Sequence, residues 1–201
     1  MFVAASAALL VTLVLALTRA ILGPTVFDRL QAANTVGTSA MLMLAVLGFL
    51  TGRPEFLDLA LVYGLQHRRH HCGAEILPLR RPGRARRRSG AARMSMALDI
   101  LSWISLVAGG AFCVIGALGL VRMPDFYTRV HAAGIVDTMG AGLLLFGMIL
   151  QAGLTLIAVK LVMIGLLLLF ASPTATHALT KAALARGLKP LLAPGEDSST
   201  R

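Results

Sequence analysis

Long apolar runs separated by short polar turns make up most of the chain. Five of these runs come close to the about 20 residues that a helix needs to cross the hydrocarbon core of a bilayer. They lie at residues 2–22, 32–50, 98–120, 132–150 and 154–171. A further run, FLDLALVYGL, begins at Phe56 and stops at Gln66, after half the length of a span. The pattern predicts an all-α integral membrane protein with five to six spans.

The composition agrees with this prediction and adds one unusual segment. Of the 201 residues, 57% are hydrophobic and 14% are charged, whereas a soluble domain carries about 25% charged residues. The net charge is +10, yet nine of the nineteen Lys and Arg residues lie within residues 66–93. The rest of the chain holds ten Lys or Arg against eight Asp or Glu. We therefore predict a multi-pass protein of the cell membrane whose basic character belongs to a single segment.

That basic segment, QHRRHHCGAEILPLRRPGRARRRSGAAR, stands where the second half of the third span is expected. We hypothesise that it is coding sequence read in a shifted frame. A shift of one base would give Ile or Thr at His67, His70 and His71, and Val or Ala at Cys72, which suits a transmembrane helix. One alternative is a genuine basic loop that binds anionic lipid or nucleic acid. Another is a metal site of these His and Cys residues, although their spacing matches no closed zinc pattern.

The two halves of the chain resemble each other. The segment PTVFDRLQAANTVGT, which starts at Pro24, aligns without gaps with PDFYTRVHAAGIVDT, which starts at Pro124, and six of the fifteen positions are identical. Arg residues flank both turns, so the positive-inside rule predicts that both turns are cytoplasmic and that both halves start outside. If the first half contained three complete spans, however, the chain would be on the cytoplasmic side when the second half begins, in conflict with this prediction. Two separate three-span units remove this conflict.

These segments resemble a known family. The stretch LTRAILGPTVFDRLQAANTVGT, followed by FLDLALVYGL, resembles the F-type component of the Mrp-type multisubunit monovalent cation/proton antiporter. The stretch LGLVRMPDFYTRVHAAGIVDTMGAGLLL, followed by VKLVMIGLLLLFASPTATHAL, resembles the G-type component of the same complex. In that family these are separate three-helix proteins, so a fusion departs from the pattern.

The resemblance implies three regions in the chain. An F-like unit at residues 1–65 has a truncated third span, and a basic linker follows at residues 66–93. A G-like three-helix unit occupies residues 94–192. The polar composition of residues 193–201, APGEDSSTR, separately predicts a disordered tail.

The resemblance also implies a role as an accessory subunit in the exchange of Na⁺, or another monovalent cation, for H⁺. The implied partners are the other subunits of the complex, membrane lipid and the transported ions, with neither a cofactor nor nucleic acid. Nothing in the sequence predicts an enzyme, because it has no phosphate-binding glycine loop and no Ser-His-Asp arrangement. The alternative is a scaffold whose charges only join neighbouring helices.

Charged residues inside spans are costly, so each is a functional candidate. Asp137 is the strongest candidate for an ion-binding residue, because Thr138 lies beside it and hard cations prefer oxygen ligands. The alternative is that Asp137 forms an interhelical ion pair. Asp58 could bind Na⁺ or relay a proton, or it could stabilise the start of its helix. Lys160 could carry protons, or it could pair with Asp137 or with a carboxylate of a partner subunit.

Residues at the predicted turns are weaker candidates. We expect four of them to cap helices and fix orientation rather than to transport ions: Asp28, Arg29, Asp125 and Arg129. His131, at the start of a span, could titrate near neutral pH, and the alternative is a solvated His at the interface. Pro173 is predicted to break the last helix, because proline lacks a backbone N–H and restricts the preceding residue. Together with Thr174 and the neighbouring Ser172, it forms a polar break that could touch a cation path.

Overall fold

A computed structural model of the chain describes residues 1–69 and 94–188. The hypotheses about residues 70–93 and about the tail at residues 193–201 lie outside this part. The described chain forms seven α-helices and one π-helical turn. These elements are α1 (Phe2–Leu22), α2 (Val26–Thr51), α3 (Glu55–Arg69), α4 (Met94–Arg122), α5 (Phe126–Ile135), the π turn (Val136–Gly140), α6 (Ala141–Ala152) and α7 (Leu156–Ala185).

Five helical segments of the described chain are long and apolar enough to cross a membrane. They are α1, α2, α4, the continuous segment Phe126–Ala152 and α7. The prediction of an all-α integral membrane protein is confirmed. Helix α3 has 15 residues, fewer than the about 20 that a span needs.

Local sequence explains where the first helices begin and end. Helix α1 stops at Gly23, whose successor Pro24 cannot donate a helical hydrogen bond. Helix α2 starts with a capping box, in which Thr25 and Asp28 each accept a hydrogen bond from the other's backbone N–H. It ends at Gly52, which adopts the left-handed conformation with φ of 66°.

The structure corrects the prediction that Pro173 breaks the last helix. Helix α7 contains Pro173 and continues for 12 further residues to Ala185. Proline is tolerated inside membrane helices where hydroxyl groups and neighbouring helices satisfy the backbone carbonyls that it leaves free. Thr174 Oγ1, next to the proline, donates to the Phe170 carbonyl oxygen of its own helix at 2.6 Å; the carbonyl that Pro173 leaves without its helical donor is that of Leu169.

The two halves pack directly on each other, with α1 lying against α4 and α2 against α5 and α6. Both polar turns lie at the same end of the bundle, because Arg129 forms an ion pair with Asp28. The turns also share their geometry. Arg29 Nε donates to the Gly23 carbonyl at 2.8 Å, and Arg129 Nε donates to the Met123 carbonyl at 2.7 Å. The C-terminal end of α7 joins them, since Tyr127 donates to the Leu188 carbonyl.

Close approach of α4 to the segment Phe126–Ala152 depends on glycines. A methyl group on Gly116 would lie 2.6 Å from Val136 Cγ2, and one on Gly109 would lie 2.8 Å from the Leu144 backbone nitrogen. In lipid, helices associate through such backbone proximity, because lipid tails are as apolar as the side chains. This packing fixes the π turn against α4.

Candidate functional site

Asp137 lies in the π turn, in the middle of the segment Phe126–Ala152. A π turn inserts one extra residue into an α-helix, and such turns occur frequently at functional sites. The Asp137 side chain is buried, with 5% of its surface exposed. The structure thus places a carboxylate inside the bundle at mid-span, where a charge is costly unless it is compensated.

The partners of Asp137 come from two other helices, one in each half of the chain. Ser172 Oγ of α7 donates to Asp137 Oδ2 at 2.7 Å, and Asn34 Nδ2 of α2 donates to the same oxygen at 3.3 Å. The Thr38 side chain of α2 also lies against the carboxylate. The other oxygen, Asp137 Oδ1, is buried without a hydrogen-bond partner.

No Lys, Arg or His among the described residues forms an ion pair with Asp137. A buried carboxylate needs a proton, a cation or several hydrogen bonds to compensate its lost hydration. Asp137 Oδ1 receives no hydrogen bond from the described residues, and the partners of the carboxylate, Ser172, Asn34 and Thr38, are all neutral. The described residues thus leave the negative charge of Asp137 without a cationic side chain.

A small cavity of about 30 Å³ lies next to these partners. Its polar lining includes Asn34, Thr38 and Ser172, and Gly64 of α3 also contributes to its wall. A cavity needs at least about 10–15 Å³ of such volume to hold one water molecule. The space therefore suits one small, largely dehydrated ion or a water molecule. Carboxylate, hydroxyl and rotated amide oxygens are suitable ligands for a hard monovalent cation.

Thr138, which the sequence placed beside Asp137 as a second oxygen ligand, is not part of this cluster. Its hydroxyl donates to the Gly134 carbonyl of its own helix at 2.7 Å, and the side chain is exposed. Successive residues on a helix point in different directions, so neighbours in sequence rarely share a site. The hydroxyls that reach Asp137 belong to Ser172 and Thr38, from other helices.

Lys160 and Asp58 form an ion pair between α7 and α3. The structure therefore pairs Lys160 with Asp58, a partner that the sequence analysis did not consider, and not with Asp137. Both side chains remain partly exposed at the surface of the bundle. They are separate from the Asp137 cluster, and they join the first half of the chain to the second.

The turn residues divide into a buried pair and an exposed group. Asp28 and Arg129 are buried, with 2% and 8% of their surfaces exposed, and Arg129 also donates to the Pro124 carbonyl. A second guanidinium, that of Arg19, lies 3.7 Å from Asp28. Arg29 and His131 are exposed. Asp125 occupies the N-cap position of α5 without a side-chain capping bond.

Sequence reasoning missed Asn34 and Thr38. A signal for them exists in the spacing of polar residues on α2, since Gln31, Asn34 and Thr38 recur at intervals of three and four residues. That spacing places them on one face of a helix, and a polar face in an apolar span indicates a buried polar site.

The bundle and its buried carboxylate define a class of protein, the polytopic membrane proteins with an ionisable residue at mid-span. The family model described as "Na+/H+ antiporter subunit" matches residues 106–184, and the model "Multiple resistance and pH regulation protein F (MrpF / PhaF)" matches residues 27–66. The chain belongs to the family of G-type antiporter components, as the relatives below show, and its residues 27–66 are in addition similar to the F-type component.

Relatives of known sequence match the second half. UPF0091 protein RC0354 of Rickettsia conorii is 42% identical over 82 residues, which cover 40% of this chain and 77% of that protein. UPF0091 protein PH0944 of Pyrococcus horikoshii is 35% identical over 91 residues, 45% of this chain and 88% of that protein. The G1 component of the Na(+)/H(+) antiporter of Staphylococcus aureus strain JH9 is 35% identical over 85 residues, which cover 41% of this chain and 72% of that protein. No solved structure matches this chain.

Membership in these families makes the chain an accessory subunit of a multisubunit Na⁺/H⁺ antiporter, embedded in the cell membrane. Other subunits of that complex are its partners. The families consist of transporter components.

Proposed function

We propose that Asp137 is a binding point for the transported cation or proton in the antiporter complex. The observation that carries the proposal is a buried carboxylate whose partners, Ser172, Asn34 and Thr38, are all neutral, and which has no ion-pair partner among the described residues. A buried carboxylate without a cationic side chain beside it is compensated by a bound proton or cation. A small cavity lies beside the partners of Asp137, lined by Ser172, Asn34 and Thr38 and not by Asp137 itself.

The transported species in this proposal are H⁺ and Na⁺ or another monovalent cation. One carboxylate surrounded by neutral oxygens compensates one positive charge. The proposal involves ion exchange across a lipid bilayer, without catalytic turnover and without nucleic acid. The units that build the site are residues 1–65, which supply Asn34 and Thr38, and residues 94–192, which supply Asp137 and Ser172.

Asp137→Asn tests the proposal in the complete antiporter complex. The amide keeps the volume of the side chain but loses the negative charge, so cation/proton exchange should fall on the order of tenfold or more. The readout is the sodium-dependent change of internal pH in everted membrane vesicles, together with co-purification of the other subunits. Asp99→Asn is the matched control, because Asp99 is exposed at the start of α4.

The outcomes separate the two functions considered for the chain. Reduced exchange by an assembled complex supports ion binding at Asp137. Loss of assembly supports the scaffold function. If both exchange and assembly are unchanged, Asp137 is needed neither for ion binding nor for assembly.

The scaffold function has an observation in its favour as well. Two ion pairs, Asp28 with Arg129 and Asp58 with Lys160, join the first half to the second. In both pairs the first half supplies the carboxylate and the second half supplies the cation. These charges hold the two units together, and the proposed transport role belongs to Asp137.

A further inference from the structure

The cavity beside the Asp137 cluster has one polar wall. This wall consists of Asn34 and Thr38 of α2 and Ser172 of α7, and each of these side chains also contacts Asp137. No charged side chain lines the cavity in the part of the chain that the structure describes. The negative charge of Asp137 therefore lies next to the cavity, with neutral polar side chains between them.

The hydroxyl hydrogens of this polar wall are already used. Ser172 Oγ donates its single hydrogen to Asp137 Oδ2. The Thr38 hydroxyl lies 3.3 Å from the backbone carbonyl oxygen of Asn34 and also lies against Asp137. Both of these partners are acceptors, so the one hydrogen of Thr38 is directed to one of them. Each hydroxyl is left with oxygen lone pairs only.

The Asn34 side chain adds an amide oxygen to the wall. Its nitrogen Nδ2 donates to Asp137 Oδ2, and Oδ1, the other arm of the amide, is an acceptor. Neutral oxygens whose remaining capacity is to accept can bind a cation or a hydrogen-bond donor, but not an anion. Hard cations prefer oxygen ligands. The chemistry of the wall, with a single carboxylate beside it, therefore suits a monovalent cation.

The opposite wall of the cavity is apolar and tightly packed. It includes Met41 of α2, Gly64 of α3 and Leu167 of α7. A methyl group on Gly64 would lie 2.7 Å from Met41 Sδ and 2.9 Å from Leu167 Cδ2, so the three helices are already in close contact there. The volume between the two walls is about 30 Å³, which is enough for one particle of the size of a water molecule.

We propose that this cavity binds the transported cation through oxygens of its polar wall, and that Met41 and Gly64 determine which size of cation it accepts. The inference rests on the proposed function of Asp137, whose carboxylate supplies the compensating charge. Because that charge is a single one, it compensates either a cation in the cavity or a proton, but not both. Such mutual exclusion is what an exchange of cation for proton requires.

Met41→Ala tests the proposal by enlarging the cavity at its apolar wall, while the oxygens of the polar wall remain. Larger cations should then be accepted better, because cavity size and the number of ligands decide between cations of different size. We expect the ratio of K⁺-driven to Na⁺-driven exchange to rise on the order of tenfold. The measurement is the initial rate of the pH change in everted vesicles that contain the assembled complex, with each cation added at the same low concentration. Met41→Leu is the matched control and should leave the ratio unchanged, because Leu and Met are close in volume.

Gly64→Ala changes the cavity in the opposite direction, because its methyl group takes up space beside Met41 and Leu167. The ratio of Li⁺-driven to Na⁺-driven exchange should therefore rise, by about threefold to tenfold. Gly110→Ala is the control for crowding, since a methyl group on Gly110 would lie 3.0 Å from Ala8 Cβ, in the contact between α4 and α1. It should leave the ratio unchanged. Gly64→Ala provides a comparison even if Met41→Ala prevents assembly.

The same vesicles separate the cavity from the carboxylate beside it. Unchanged cation ratios in Met41→Ala and Gly64→Ala, in assembled complexes that still require Asp137 for exchange, would overturn the inference and leave the proposed function intact. The cavity would then hold water only. Shifted ratios combined with normal exchange by Asp137→Asn would overturn the proposed function, and with it the assignment of this carboxylate to the cation in the cavity.

Discussion

The environment of Asp137 illustrates how a membrane protein maintains a single carboxylate at mid-span. One oxygen accepts hydrogen bonds from Ser172 and Asn34, at 2.7 and 3.3 Å, and the other has no hydrogen-bond partner among the described residues. The two hydrogen bonds fix the orientation of the side chain. In the proposed ion site, a carboxylate fixed in this way avoids the entropic cost of being ordered on binding.

Ser172 is expected to set the affinity of this site. Ser172→Ala removes the shorter hydrogen bond, and a bond to a charged group contributes about 1.5–3 kcal/mol. The apparent Michaelis constant for the cation should therefore rise about tenfold or more, since 1.4 kcal/mol corresponds to a factor of ten. The measurement is the cation dependence of exchange in everted vesicles.

Thr174→Ala serves as the control for Ser172→Ala. Thr174 lies two residues further along α7, is exposed, and bonds to its own helix at Phe170. Its removal should leave the cation dependence unchanged. If both variants behaved like the unmodified chain, Ser172 would have no part in the ion site.

At the scale of the element, the π turn is held in place by the packing of α4. Gly140 ends the turn, and a methyl group on it would lie 2.5 Å from Cys113 Sγ and 3.3 Å from the Cys113 backbone nitrogen. The widened turn and the close approach of α4 thus occupy the same short stretch of the bundle. The glycine is required there because no side chain fits between the two helices.

Gly140→Ala should therefore destabilise the bundle by about 1–3 kcal/mol, the usual effect of overpacking. The melting temperature of the purified complex should fall, and Cys113→Ala in the same chain should restore part of it. Gly142→Ala is the matched control, because a methyl group on Gly142 meets nothing within 4 Å. Equal melting temperatures for both glycine variants would contradict the proposed packing.

At the scale of the whole molecule, two units pack with their turns at the same end of the bundle. Helix α1 packs against α4, and α3 is joined to α7 by the ion pair of Asp58 with Lys160, both of which lie outside the basic segment. The match to the MrpF model ends at residue 66, where the third apolar run stops. Both observations fit two subunits that associate without a covalent linker.

We therefore predict that the DNA between codons 60 and 100 carries one base gained or lost relative to the printed sequence. Two products should then be made, the first with a complete third span. Resequencing this region and measuring the intact mass of the protein decide the matter. A confirmed reading frame with a product near 21.2 kDa would contradict the prediction and establish a natural fusion.

The sequence by itself determined the fold class, the positions of the spans and the family. Apolar runs of span length admit few structures in lipid, because every backbone polar group must be satisfied within a helix. Asp137 and Lys160 were also recognisable, since a charge within a span stands out against its apolar neighbours. The repeated Pro and Arg positions indicated two similar turns, whose equivalent hydrogen bonds the structure displays.

Only the tertiary structure decided which groups meet. Asp137 is bonded by Asn34 and Ser172, which are 103 and 35 residues away in the chain, and its sequence neighbour Thr138 points elsewhere. Lys160 pairs with Asp58 across the two units, and helix α7 continues through Pro173. The helical repeat fixes which residues share a face of one helix. Which faces touch is determined by the rotation and register of the packed helices, and that rotation and register depend on glycine contacts and cross-helix bonds throughout the bundle.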